Sequence, residues 1–147
     1  MSDTDYLPSP NDYVRKHVEE YEASGGTRAN TLGDSGRPVV IVTTRGQKSG
    51  KIRKTPLMRV EHEGSYLAVA SMGGAPEHPQ WYYNLLADPW SRVQDGPEPV
   101  DTRARLITDA DEREVWWERA VATFPPYAEY QDKTDRIIPL FVLEPAS

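Results

Sequence analysis

The residues best equipped for chemistry lie in one turn, Arg45-Gly46-Gln47-Lys48-Ser49-Gly50-Lys51-Ile52-Arg53. From Arg45 to Arg59 there are six basic side chains (Arg45, Lys48, Lys51, Arg53, Lys54, Arg59) and no acid. The full 147-residue chain carries seventeen basic and twenty-three acidic residues, a formal net charge of −6. A compact positive spot on an acidic body points to a small anion. Nucleic-acid binders usually have a longer basic surface and a higher pI than the value of about 5.1 found here. Gly46 and Gly50 are expected to let backbone N–H groups face that anion at close range. Ser49 adds a hydroxyl, Lys48 a mobile charge, and Arg53 a fork suited to phosphate. Walker spacing is absent, and the turn leads into a strand rather than a helix, so neither common nucleotide-binding turn applies. The competing reading is a solvated hairpin turn, which the absence of acids weakens.

Covalent chemistry is poorly provided for. The chain has no Cys, which excludes thiolate nucleophiles, iron–sulfur clusters, Cys-based zinc sites and disulfides. It has no Gly-x-Ser-x-Gly elbow. His17, His62 and His78 are scattered without metal-ligand spacing, so no metal is expected and each His reads as structural. A redox cofactor needs none of these groups, because the protein then supplies binding and orientation. Ser71-Met72-Gly73-Gly74-Ala75-Pro76 suits that role, since two glycines let backbone approach a flat ligand. Tyr127 and Tyr130, at i and i+3, share one helical face and could wall a ring system, as could Trp81; for all three, ordinary packing is the plainer reading.

The elements that must carry these residues follow from pattern. A helix is expected from Ser9 as N-cap and Pro10 at the first position, with Tyr13, Val14, His17, Val18 and Tyr21 at helical spacing and Gly25-Gly26 as the stop. It is expected to pack across the rest of the fold; a lid or membrane-surface contact is the sharper alternative, which Glu19, Glu20 and Glu22 argue against for anionic lipid. Pro38–Thr44, Ile52–His62 and Tyr66–Ser71 read as an antiparallel meander. A short helix over Pro79–Ala87 follows, then strands at Trp90–Gln94 and Val100–Ile107. Next comes a helix turning Val115, Trp116, Ala120 and Val121 inward, then a helical turn at Tyr127–Gln131. A last strand spans Arg136–Leu143, which Pro139 should place at an edge or in a bulge. About six strands with three or four helices and no βαβ rhythm make this an α+β chain forming a small barrel. The expected division is an N-terminal arm over 1–36 and a barrel over 37–147. The polar, acidic first residues do not form a signal peptide, and the longest apolar run, Val39–Val42, cannot span a bilayer. A cytoplasmic protein, at most peripheral at the inner membrane face, is expected.

Ordered blocks of this sequence resemble a known family. They are Thr43-Thr44-Arg45-Gly46-Gln47-Lys48-Ser49-Gly50 with Arg53 and Pro56-Leu57; Ala70-Ser71-Met72-Gly73-Gly74; His78-Pro79-Gln80-Trp81-Tyr82-Tyr83-Asn84-Leu85; and Tyr127 and Tyr130 before Thr134-Asp135-Arg136-Ile137-Ile138-Pro139. Together they look like the deazaflavin-dependent nitroreductase and quinone reductase family of actinobacteria. The resemblance implies a split β-barrel, related to FMN-binding barrels, that uses reduced coenzyme F-420. It implies hydride transfer to a quinone or nitroaromatic acceptor. By matching position, Lys48, Ser49 and Arg53 should hold the cofactor phosphate or tail, and Pro56, Leu57 and Met58 should lie along the cofactor. Ser71, Met72, Gly73, Trp81, Tyr127 and Tyr130 should face ring or substrate, with Ser71 or Tyr130 hydrogen-bonding the developing oxyanion. Met72 stands where some relatives carry Lys, and Phe124 near where another Tyr occurs, so nitroimidazole activation is not carried over. FMN is the runner-up cofactor, and a non-catalytic cofactor-binding protein the alternative outside enzymes. No nucleic-acid partner is expected, and oligomeric state is not readable.

Overall fold

A computed structural model describes residues 6–31 and 36–146. The acidic residues 1–5 and residues 32–35, beside the expected boundary between arm and barrel, lie outside them.

Helix α1 spans Asp12–Ser24. It begins two residues later than Ser9-Pro10 suggests, because Asn11 provides the cap. The Asn11 Oδ1 accepts from the Val14 N–H at 3.1 Å, while the Ser9 hydroxyl accepts from Asn11 N at 3.1 Å. Gly25, at φ 63°, ends the helix in the left-handed region. Val18 and Tyr21 enter the core, and the Tyr21 hydroxyl donates to Gln94 O at 3.1 Å and accepts from Gly96 N at 2.8 Å. The helix therefore packs across the barrel.

Among the described residues seven strands form one sheet: β1 (Val39–Arg45), β2 (Ile52–Met58), β3 (Glu61–His62), β4 (Ser65–Val69), β5 (Trp90–Gln94), β6 (Pro99–Leu106) and β7 (Leu140–Pro145). Their order is β2-β1-β5-β6-β7-β4-β3, antiparallel throughout. β2 and β3 are opposite edges, yet only residues 59–60 separate them in sequence. The sheet must therefore curl until its edges approach, and Leu67 N donates to Val60 O at 2.8 Å across the junction. This corrects the expected meander. The run Ile52–His62 is one strand in sequence but two in the sheet, bent so that its first part pairs with β1 and its end with β4. That bend also raises the strand number above six.

At β1 and β7 both faces of the curled sheet are covered. Val39 and Ile41 face a cluster with Val18, Tyr21 and Trp116, while Val40 and Val42 face another with Leu85 and Phe141. Two buried faces explain why β1 reads as an unbroken apolar run. β7 repeats the division, Leu140 and Val142 against Phe141 and Leu143. Pro139 does not put this strand at an edge: β7 lies between β6 and β4, and the ladder starts one residue after the proline. Pro139 contributes only its carbonyl, to Ala70 N at 3.0 Å. Pro56 stands mid-strand in edge strand β2, while Pro99 and Pro145 stand at the ends of β6 and β7.

Three further helices flank the sheet: α2 (Gln80–Ala87), α3 (Ala110–Thr123) and α4 (Pro126–Lys133). Asp109 caps α3 by accepting from Glu112 N at 2.8 Å. Trp116 and Ala120 are buried and Val121 packs beside them, but Val115 faces out, because the helix rests on the barrel along a narrower stripe than the pattern suggested.

Candidate functional site

The basic turn joins β1 to β2 and is held from inside. Gly46 N donates to Lys51 O at 2.7 Å, Gly50 N to Gly46 O at 2.9 Å, and Lys51 N to the Ser49 hydroxyl at 3.1 Å. The turn consumes the N–H groups of both glycines, so neither of these two is available to an anion. Their roles are steric instead: a Cβ on Gly46 would lie 2.7 Å from the Ser49 hydroxyl, and Gly50 sits at φ 70°. Below the turn, Asn84 of α2 is fully buried. Its Oδ1 accepts from Gln47 N at 2.9 Å and from Gln80 Nε2 at 3.2 Å, and its Nδ2 donates to the Thr44 hydroxyl at 3.1 Å. A buried amide must be satisfied, so Asn84 pins the turn to α2.

Folding also redistributes the positive charge. Arg45 pairs with Asp88 at 3.1 Å, Lys54 with Glu22 of α1 at 2.5 Å, and Arg59 with Asp95 at 2.8 Å. Lys48, Lys51 and Arg53 are left without an opposite charge among the described residues. The compact spot of six cations thus reduces to three, on the turn and at the start of β2.

From Arg53 inward the surface opens into a cleft of two lobes. The first, of about 360 Å³, is lined by Ser9, Val14, Thr44, Arg53, Lys54, Thr55, Met72, Pro79, Gln80, Trp81 and Asn84. The second, of about 310 Å³, is lined by α1 (Tyr13, Val14, His17), β2 (Thr55, Pro56, Leu57, Met58), Ser71, Met72, Trp81, Phe124, Tyr127 and Tyr130, among others. Val14, Thr55, Met72, Pro79 and Trp81 belong to both, so the lobes are continuous. Arg53, Pro56, Leu57, Met58, Ser71, Met72, Trp81, Tyr127 and Tyr130 are therefore gathered around one space. Lys48 and Ser49 are exposed at the turn tip and line neither lobe, and neither does Gly73.

The loop after β4 is bent sharply. Met72, Gly73 and Gly74 lie at φ 46°, 65° and 84°, three left-handed residues in succession. Only two are glycine, so Met72 carries strain of roughly 1–2 kcal/mol that the surroundings must hold. Gly74 does not serve approach to a flat ligand: it is buried against α4, where a Cβ would lie 2.8 Å from Tyr130 O. Gly73 faces open space. The Tyr127 and Tyr130 rings stand edge-to-face at 6.3 Å, with Phe124 at 4.9 Å from Tyr127. Burial pushes the Tyr127 phenol well above its ordinary range, with Tyr130 adding in the same direction, so it stays protonated.

The histidines are accounted for locally. His17 Nε2 meets Ala29 O at 2.6 Å, His62 lies edge-on to Trp116, and His78 stacks on Tyr82 at 4.1 Å. No group of three or more ligating side chains occurs among the described residues. Sequence reading missed the α1 wall of the second lobe, together with Thr55 and Asn84. The signal for Asn84 was available: an amide inside the apolar run Trp81–Leu86 must find partners.

Comparison with known proteins places this geometry. The family described as F420H(2)-dependent quinone reductase matches residues 13–145. An F420H(2)-dependent quinone reductase of Mycobacterium tuberculosis is 31% identical over 132 residues, 88% of either chain. A solved F420-H2 dependent reductase is 56% identical with a TM-score of 0.69, covering 74% of this chain and 95% of that one. A solved structure described as a domain-swapped dimer is 49% identical with a TM-score of 0.72, covering 92% of this chain and 100% of that one.

Proposed function

The chain belongs to the F420H(2)-dependent quinone reductase family, and we propose how its cleft divides that work between a tail-holding end and a reacting end. It is a split-barrel oxidoreductase that passes a hydride from reduced coenzyme F-420 to a quinone. The observation carrying the division is the continuous two-lobed cleft, with Arg53 at one end, Lys48 and Lys51 on the turn beyond it, and Ser71 among aromatic side chains at the other end.

The donor set fits an anionic coenzyme. Arg53, at the wall of the first lobe, grips phosphate or the adjoining tail, and Lys48 and Ser49 meet the part that emerges past the turn. FMN, with one short phosphate, would leave the outer cations unmatched. When bound, the coenzyme supplies the hydride as a two-electron unit. The chain's own residues do the rest. Pro56, Leu57, Met58 and Trp81 present apolar surface that fixes the plane of a flat ring and excludes water. Ser71 and Tyr130 donate hydrogen bonds to the acceptor oxygen as negative charge develops there. Tyr127, held neutral by burial, supports Tyr130 and closes the wall. Nitroaromatic acceptors share the flat shape and the oxygen that gains charge, so the same lobe suits them.

Leu7, Tyr13 and Met72 are exposed apolar residues, and the latter two line the second lobe. They support peripheral contact with a membrane holding a lipid-soluble quinone, through apolar side chains rather than charge, since Glu19 and Glu20 lie on the same helix. No helix among the described residues is long and apolar enough to cross a membrane. The test is direct: mix protein, reduced coenzyme and menadione, and follow coenzyme reoxidation. Turnover is expected; binding without oxidation above background, across several quinones and nitroaromatics, would make this a cofactor carrier.

A further inference from the structure

Arg136 lines neither lobe of the cleft, yet its side chain makes the densest set of polar contacts near it. Nε donates to Ala75 O at 2.9 Å, one terminal nitrogen to Ala70 O at 3.0 Å and to His78 Nδ1 at 3.1 Å, and the other to Ser71 O at 2.7 Å. No carboxylate pairs with it among the described residues. The planar fork is thus spent on three carbonyls that bracket the strained turn at Met72-Gly73-Gly74. Its own backbone is anchored to α4, because Gln131 Nε2 donates to Arg136 O at 2.8 Å and Gln131 Oε1 accepts from Ile138 N at 3.0 Å. Through His78, stacked on Tyr82, it also reaches α2.

We propose that Arg136 is a positioning residue that clamps the 70–75 loop, setting Ser71 and Met72 against Tyr130 on α4 and Trp81 on α2. Its functional part rests on the roles given above to Ser71 and Tyr130. A lysine cannot reproduce the clamp, since one ammonium cannot span three carbonyls in a plane. Local φ preference opposes the conformation at Met72, and the clamp adds to the backbone bonds Gly74 N to Ser71 O and Ala75 N to Met72 O in holding it.

The test is Arg136→Lys, read first without coenzyme. Amide exchange at Gly74 and Ala75, whose N–H groups bond Ser71 O and Met72 O within this loop, should rise at least tenfold while β1 stays within twofold. Unchanged exchange there overturns the clamp. With coenzyme and menadione, kcat should fall at least tenfold while the coenzyme Kd stays within twofold. In a Ser71→Ala background the same change should cost less than twofold. Wild-type kcat, or losses that multiply in full, overturns the positioning role. Wild-type turnover in Ser71→Ala alone sinks the role given to Ser71, and the exchange result still decides the clamp. Should Arg136→Lys fail to fold, His78→Gln is the gentler variant: a smaller rise at the same amides supports the clamp, and none overturns it.

Discussion

The cationic turn and the reacting lobe are built in opposite ways. Lys48, Lys51 and Arg53 come from one hairpin, of which only Arg53 lines the cleft, with Asn84 the main distant support. The reacting end draws on α1, β2, the 70–75 loop, α2 and α4, segments far apart in sequence. A site made from one hairpin tolerates change at single positions because its parts act side by side. A site assembled from five segments depends on the contacts between them. Damage at the first end should appear as binding, and damage at the second as turnover or stability.

The largest expected effect tests the charged end. Lys48→Ala with Arg53→Ala should weaken coenzyme binding by about 3 kcal/mol or more, as charge-assisted contacts contribute about 1.5–3 kcal/mol each. Arg53 should carry the greater share, since it lines the cleft and Lys48 lies on the exposed tip. Isothermal titration checks both, and unchanged affinity in the double variant would remove the turn from the site. Gly74→Ala comes next. Its Cβ would meet Tyr130 O at 2.8 Å on a left-handed backbone, so a loss of roughly 2–4 kcal/mol in urea unfolding is expected. A neutral result would show that α4 is not held against the loop, and the contrast between the ends would weaken.

Tyr130→Phe should lower kcat about tenfold with the coenzyme Kd unchanged, as one hydrogen bond to developing charge is removed. A Kd change instead would move Tyr130 to the binding end. The smallest effect concerns pH. Burial, with Arg136 second, holds His78 below its ordinary value of 6.5, so the folded chain resists its protonation. The stability it contributes is present above that value and is lost as pH falls through the lowered folded pKa. Melting temperature should drop slightly on acidification from about pH 7, less so in His78→Gln. An equal drop in both would assign the effect to other groups.

Much of this was legible in the chain. The β-branched run at Val39–Val42, the Gly-bounded turn, the absence of Cys and the four ordered blocks named a fold, a cofactor class and most of the cleft residues, because these signals are local. Three features were not legible. Charge counting could not know that Glu22, Asp88 and Asp95 would neutralise half of the basic stretch, since those partners arrive from other elements. Glycine spacing could not reveal that the N–H groups of Gly46 and Gly50 are consumed within the turn. Pro139 read as the sign of an edge or a bulge because the sequence does not say where hydrogen bonding begins.

The amino-acid sequence alone pointed to what kind of reductase barrel this is, through ordered blocks whose resemblance to a family is readable without any folded neighbour. Only the tertiary structure decided which cations remain available, which glycine approaches α4 and which arginine holds the loop. Charge pairing, close backbone approach and a three-carbonyl clamp all join residues distant in the chain, and closure of the curled sheet brings them together.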